Sequence, residues 1–250
     1  MIHPFLEHDG VLAFAHRGGA EEHPENTMAA FQHAVDLGFK YLETDAHLTR
    51  DGKLVAFHDD ELGRVTDRSG RIADLTWDEV RRARVQGEPI PRLEALFETW
   101  SDVRINIDPK HDAVVEPLAA FVRDHDLLDR VCLTSFSEAH NRRLRTLLGP
   151  RLCTGMGQAA AIRLQVASYG LPAGRFAARC AQVPVQSMGL TVVRPAFIAA
   201  AHRRGLQVHV WTIDDPDEME RLLDLGVDGL MTDRPSVLKD VLVKRGQWAD

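Results

Sequence analysis

Val11-Leu12-Ala13-Phe14-Ala15-His16-Arg17-Gly18-Gly19 and, one segment later, Tyr41-Leu42-Glu43-Thr44-Asp45 are the stretches from which the fold can be read. The first is a nearly continuous apolar run ending in a glycine-rich loop, the pattern of a buried strand and its exit. Between them, residues 27–38 predict a helix. Asn26 or Thr27 can cap it, Met28, Phe31, Val35 and Leu37 give it an apolar face, and Gly38 stops it. Strand, helix, strand in this order opens a parallel sheet.

Outward from this unit the rhythm repeats. Strands are predicted at 103–108, 131–135, 151–154, 182–186, 206–211 and 227–231. Helices are predicted at 93–100, 113–125, 137–148, 159–168 and 195–204, and a further one opens at Asp215-Pro216-Asp217-Glu218. With 11–15 and 41–45 the parallel strands number eight, the arithmetic of a (β/α)8 TIM barrel formed by one catalytic domain, 1–250. A doubly wound open sheet is the competing fold, but its usual G-x-G-x-x-G in the first turn is absent.

Two features interrupt the rhythm after the second strand. Asp51-Gly52 between alternating segments predicts a β-hairpin extension. A two-residue turn pairs Arg50 with Lys53 and carries the register on until Asp45 faces His58. Residues 60–91 then form a stretch too long for a plain loop, with a capping box at Thr76-Trp77-Asp78-Glu79. They predict a small inserted segment over the barrel mouth.

Composition narrows the class. The 250 residues are 44% hydrophobic and 27% charged, ordinary for a globular chain, and the net charge of -7 offers no basic footprint for nucleic acid or an anionic membrane. No apolar run reaches the roughly 18 residues of a transmembrane helix, so no stable membrane insertion is expected. The N-terminus lacks the basic and apolar regions of a signal peptide. Cys132, Cys153 and Cys180 lack C-x-x-C spacing and read as buried, reduced thiols. Together these features predict a cytoplasmic protein; nothing in them sets an oligomeric state.

Active sites of such barrels lie at the C-terminal strand ends. The polar residues expected there are His16, Arg17, Glu43, Asp45, Asp108, Lys110, Ser135, Gln186, Trp211 and Asp233, with His58 delivered by the hairpin. Glu43 and Asp45 are two apart and share a face, and Asn106 and Asp108 point inward while Ile105 and Ile107 point outward. Three carboxylates without a thiolate suit a hard divalent cation, Mg²⁺ or Ca²⁺. Arg17 and Lys110 beside them suit a phosphate, and His16 and His58 an acid and a base. Metal, phosphate clamp and two histidines together describe phosphodiester hydrolysis. Asp59 reads as a turn or supporting residue, not a ligand. Ala201-His202-Arg203-Arg204-Gly205 echoes Ala15-His16-Arg17-Gly18 but falls in a last helical turn, where cations complement the dipole.

These motifs in this order resemble the glycerophosphodiester phosphodiesterase family: H-R-G at 16–18, P-E-N-T at 24–27, E-x-D at 43–45, D-G running on to His58-Asp59, N-I-D-x-K at 106–110, S-F at 135–136, W-T at 211–212 and T-D-R-P at 232–235. The resemblance covers nearly the whole chain. It implies a barrel with a small insertion and metal-dependent cleavage of a small glycerophosphodiester to sn-glycerol 3-phosphate and an alcohol. His16 and His58 would be the acid/base pair, and Glu43, Asp45 and Asp108 the metal ligands. Arg17 and Lys110 would contact phosphate, and Trp211 would pack on the glycerol or leaving group. Glu25 and Asn26 would organise the loop. Asp108 departs from the family's usual glutamate and is one methylene shorter. Two other readings are carried alongside: phospholipase D-type activity on lysophospholipids, and a catalytically silent barrel that binds phosphodiesters.

Overall fold

The computed structural model describes residues 3–249. The expected rhythm is present. β1 (Leu12–Ala15) leads to α1 (Met28–Asp36), β2 (Tyr41–Leu48) to α2 (Leu93–Thr99), β3 (Arg104–Pro109) to α3 (Asp112–Asp124) and β4 (Val131–Leu133) to α4 (Glu138–Leu148). The second half follows with β5 (Cys153–Thr154), α5 (Gln158–Ala167), β6 (Cys180–Pro184), α6 (Pro195–His202), β7 (Gln207–Trp211), α7 (Pro216–Asp224), β8 (Gly229–Thr232) and α8 (Pro235–Lys244). The strands run parallel in the spatial order β5-β4-β3-β2-β1-β8-β7-β6.

The ends of that row meet where Gly155 bridges Cys180 and the Met156 N–H donates to the Cys180 carbonyl at 3.1 Å, so the barrel is nearly closed. Closure depends on the missing side chain of Gly155, since a Cβ there would lie 2.2 Å from Thr134 Oγ1. Gly18 plays the same part beneath the first loop. Its φ is +83°, and a Cβ would stand 2.8 Å from that of Ala30, so the H-R-G turn sits flush on α1.

Helix starts follow the local chemistry. Thr27 Oγ1 accepts from Ala30 N at 3.2 Å, and Asp215 Oδ1 from Glu218 N at 2.9 Å with Pro216 at the first helical position. Apolar faces of the helices pack on the outward strand residues to form the main core, which includes Phe31, Leu42, Ile105, Ile107, Leu144 and Val210. Inside the barrel a second cluster gathers Phe14, Tyr41, Cys132, Cys153, Cys180 and Met231, and the N-terminal turn Pro4–Leu6 adds Phe5 and Leu6 to it. The three cysteines are buried and unpaired, as expected, but lie together: Cys132 and Cys180 sulfurs are 4.0 Å apart. Among the described residues no helix is long and apolar enough to cross a membrane.

Two sequence expectations are corrected. The hairpin turn has three residues, not two. Thr49 N donates to the Lys53 carbonyl at 2.9 Å, Thr49 Oγ1 accepts from Lys53 N at 2.9 Å, and Gly52 takes a φ of +78°. The ladder therefore pairs Ala46 with Ala56 and His47 with Val55, and Phe57 N donates to the Asp45 carbonyl. Asp45 faces Phe57, one residue short of the predicted His58. The sixth strand is also displaced, ending at Pro184. Gln186 then opens an exposed two-stranded hairpin with Thr191, so Gln182, not Gln186, is the glutamine the strand turns inward.

Residues 60–91 carry a small core of their own, in which Leu62, Ile72, Val80 and Ile90 pack on Val55 and Phe57 of the hairpin. The capping box at Thr76 and Glu79 is formed. No residue of this segment lines the cavity described next.

Candidate active site

A cavity of about 270 Å³ opens among the C-terminal strand ends. All eight residues expected to act on substrate or metal line it: His16, Arg17, Glu43, Asp45, His58, Asp108, Lys110 and Trp211. Around them stand Asn106 and Gln182, hydrogen-bonded to each other at 2.9 Å, with Thr134, Ser135, Phe136 and Met156.

The two histidines are held alike. His16 Nδ1 donates to Asp233 Oδ1 at 2.7 Å, and His58 Nδ1 donates to Asp59 Oδ1 at 2.6 Å. A proton fixed on Nδ1 leaves Nε2 as the nitrogen that exchanges one. His16 Nε2 lies 3.8 Å from Glu43 Oε2. Burial alone would lower the His16 pKa, but Glu43 and the hydrogen bond to Asp233 outweigh it and hold it above the ordinary 6.5. Asp59 is gripped in turn by Arg64, which also binds Glu25 at 2.6 Å, and Glu25 binds Arg17 at 3.3 Å. The inserted segment thus reaches the rim of the site through one arginine.

The carboxylates share an unbalanced charge. Burial first, then the Asp45 carboxylate, push Glu43 from 4.5 up to about 7. Burial would raise Asp45 too, yet Lys110 and Arg17 outweigh it and keep it below its ordinary value. At Asp108 burial outweighs Lys110, and the pKa rises. The Lys110 ammonium stands between Asp45 Oδ1 at 2.6 Å and Asp108 Oδ2 at 3.0 Å. A cation is therefore already drawn to this spot, while the contacts of Glu43 are the Arg17 N–H at 3.2 Å and His16 Nε2 at 3.8 Å. Hard oxygen donors with excess negative charge fit Mg²⁺ or Ca²⁺. The tightest His/Cys/Asp/Glu grouping among the described residues lies elsewhere: His47, Asp60 and His111 bring ligand atoms within 4.8 Å of one another and could hold a metal ion.

Arg17 enters the site through strain. It takes a φ of +50°, which turns its N–H onto Glu43 Oε2 at 3.2 Å. Its Nε, 3.6 Å from Asp45 Oδ2, is buried without a hydrogen-bond partner. Asn26, at a φ of +55°, donates to Asp45 Oδ2 at 3.2 Å and accepts from Thr44 Oγ1 at 2.7 Å. It fixes the loop to the strand and does not face the cavity.

The sequence profile of the glycerophosphoryl diester phosphodiesterase family matches residues 16–237. The chain belongs to that family. It is 41% identical over 98% of its length to a Mycobacterium tuberculosis protein named "Probable glycerophosphodiester phosphodiesterase 2", covering 95% of that protein. A human protein named lysophospholipase D GDPD1 is 30% identical over 91% of this chain and 85% of its own. A crystal structure from Silicibacter pomeroyi matches with a TM-score of 0.83 at 23% identity, covering 99% of this chain and 100% of the other, and supports the barrel fold. As a glycerophosphoryl diester phosphodiesterase family member the chain is a hydrolase, and its H-R-G, E-x-D, N-I-D-x-K, S-F and W-T motifs, with His58, converge on the cavity.

Asp233 is expected at a strand end from the T-D-R-P motif, but nothing in the sequence ties it to His16. Its link to His16 spans 217 positions, and only closure of β8 onto β1 brings them together. Asp59, expected only as a turn or supporting residue, accepts the hydrogen bond from His58 Nδ1.

Proposed function

We propose that this chain hydrolyses glycerophosphodiesters to sn-glycerol 3-phosphate and an alcohol, using His16 and His58 as general acid and base and a divalent cation, Mg²⁺ or Ca²⁺, held by Glu43, Asp45 and Asp108. The observation that carries the reading is the matched pair of histidines on one cavity, each with Nδ1 fixed on a carboxylate. One takes a proton from the attacking hydroxyl as the new O–P bond forms, and the other gives a proton to the alcohol oxygen as its P–O bond breaks. The attacker is water or the substrate's own neighbouring glycerol hydroxyl; either route ends with one water added. Arg17, with its unpartnered Nε, and Lys110 meet the phosphate oxygens. Bound at the carboxylates, the cation would offset phosphate charge and polarise the phosphoryl oxygen. Trp211, with Phe136 edge-on at 5.7 Å, packs on the glycerol or the leaving group.

A second reading has its own observation. Phe136 is 63% exposed at the cavity rim, and the hairpin after β6 displays Met188 at 92% and Leu190 at 65%. Apolar side chains here suit the acyl chain of a lysophospholipid, and the human relative's name points the same way. Incubation of the purified chain with glycerophosphocholine and with lysophosphatidylcholine, with Mg²⁺ or Ca²⁺ and with chelator, separates the readings. Release of glycerol 3-phosphate supports the first. Release of choline and lysophosphatidic acid alone supports the second, and binding without turnover leaves a silent barrel.

A further inference from the structure

The grouping of His47, Asp60 and His111 lies outside the chemistry just described. His47 is on β2, two residues beyond Asp45; Asp60 is two residues beyond His58; His111 directly follows Lys110. Three chain segments that each carry a cavity residue thus send one further side chain to a common point.

We infer that His47, Asp60 and His111 form a second cation site, separate from the carboxylate set in the cavity and selective for a borderline ion of the Zn²⁺ type. Donor chemistry argues for that class. Two imidazoles and one carboxylate suit Zn²⁺ with one position left open, whereas Mg²⁺ and Ca²⁺ require oxygen-rich shells. Geometry is close to what is needed. Ligand atoms about 2.1 Å from a tetrahedral ion stand about 3.4 Å from one another. Here all lie within 4.8 Å, and His111 Nε2 is already 2.8 Å from Asp60 Oδ1. Side-chain shifts of about an ångström close the set.

The surrounding hydrogen bonds prepare His47 for such a role. Its Nε2 donates to the His58 carbonyl at 3.1 Å, which leaves the lone pair on Nδ1 and anchors a ring that is only 2% exposed. A backbone carbonyl on the far nitrogen is the usual support of a metal-bound imidazole. The His111 ring meets that of His47 edge-on at 5.2 Å. Asp60 and His111 are half exposed, so an ion reaches the buried ligand directly from solvent. The consequence is mechanical: an ion here would clamp the segments bearing His58 and Lys110 to β2, with His47 holding the His58 backbone. It would take no part in bond breaking.

The test uses the full chain, stripped with chelator and held in excess Mg²⁺, titrated with Co²⁺ as a coloured stand-in for Zn²⁺. Substrate is absent, so the outcome does not depend on the proposed reaction. A single Co²⁺ with nitrogen-ligand visible bands, displaced by Zn²⁺ and not by Mg²⁺, is expected. Glu43→Gln should retain it, whereas His111→Ala should weaken it by about 100-fold or more. Zn²⁺ should raise the melting temperature of the wild type and not of His111→Ala. Because His111 is partly exposed, that variant reads the site without disturbing the core, and Asp60→Asn gives a second check. Absence of Co²⁺ binding in excess Mg²⁺ overturns the inference. So does binding that His111→Ala leaves intact or that Glu43→Gln removes.

Discussion

The two halves of the barrel mouth differ in kind. From β1 to the residues just after β3, the cavity wall carries every ionisable group that lines it: two histidines, three carboxylates, Arg17 and Lys110. From β4 to β8 the wall is uncharged, made of Thr134, Ser135, Phe136, Met156, Gln182, Trp211, Thr212 and Met231. The charged half keeps its groups buried and opposed, at a cost visible in Glu43. The uncharged half exposes Phe136 and leaves room. On the proposed function this asymmetry would divide the labour, with phosphate chemistry on one wall and recognition of the alcohol on the other.

The largest effects should fall on the charged wall. His16→Ala and His58→Ala should each reduce kcat by about 10²–10⁴-fold in steady-state assays, with modest change in KM. Rates near wild type would detach catalysis from that wall. Smaller losses, about 10–100-fold, are expected for Asp233→Asn, which keeps size but removes the charge that fixes the His16 proton. Its pH–rate profile should shift to lower pH, since an influence that raises the His16 pKa is lost. An unmoved profile would reduce Asp233 to a structural contact.

On the other wall, Phe136→Ala should change KM by about 5–20-fold, with kcat nearly constant, and alter the ratio between glycerophosphocholine and lysophosphatidylcholine. A fall in kcat alone would blur the division. The least dramatic prediction concerns stability. Glu43 has a pKa near 7 in the fold and 4.5 unperturbed. Between those values the native state binds the proton more tightly than the unfolded chain does. Its contribution is therefore greatest below about 4.5 and is lost as pH rises through about 7. Without added metal, Glu43→Gln should nearly match wild type near pH 4.5 and melt several degrees higher at pH 8. A variant that melts lower at pH 8 would show the charge to be well satisfied.

The same division marks what could be read in advance. The charged wall is built by short-range features: E-x-D sets two carboxylates on one face by strand alternation, and Asn106 and Asp108 follow the same rule on β3. All eight assigned residues accordingly reached one cavity. What failed was registry beyond the local pattern. Asp51-Gly52 announced a turn, but the Thr49 hydroxyl capping Lys53 N lengthened it by a residue, and His58 reaches the cavity beyond the ladder's end. Pro184 similarly cut β6 short and exchanged Gln186 for Gln182. Nothing local signals that Cys132, Cys153 and Cys180 share the barrel interior, because their meeting depends on closure.

The measurement that bears most directly on the charged wall is release of glycerol 3-phosphate from glycerophosphocholine by wild type and His58→Ala, each with Mg²⁺ or Ca²⁺ and with chelator. Turnover by the wild type that chelator abolishes, and that His58→Ala reduces by about 10² or more at saturating cation, is the expected result. Equal release by both proteins, or release that chelator leaves unchanged, would contradict it.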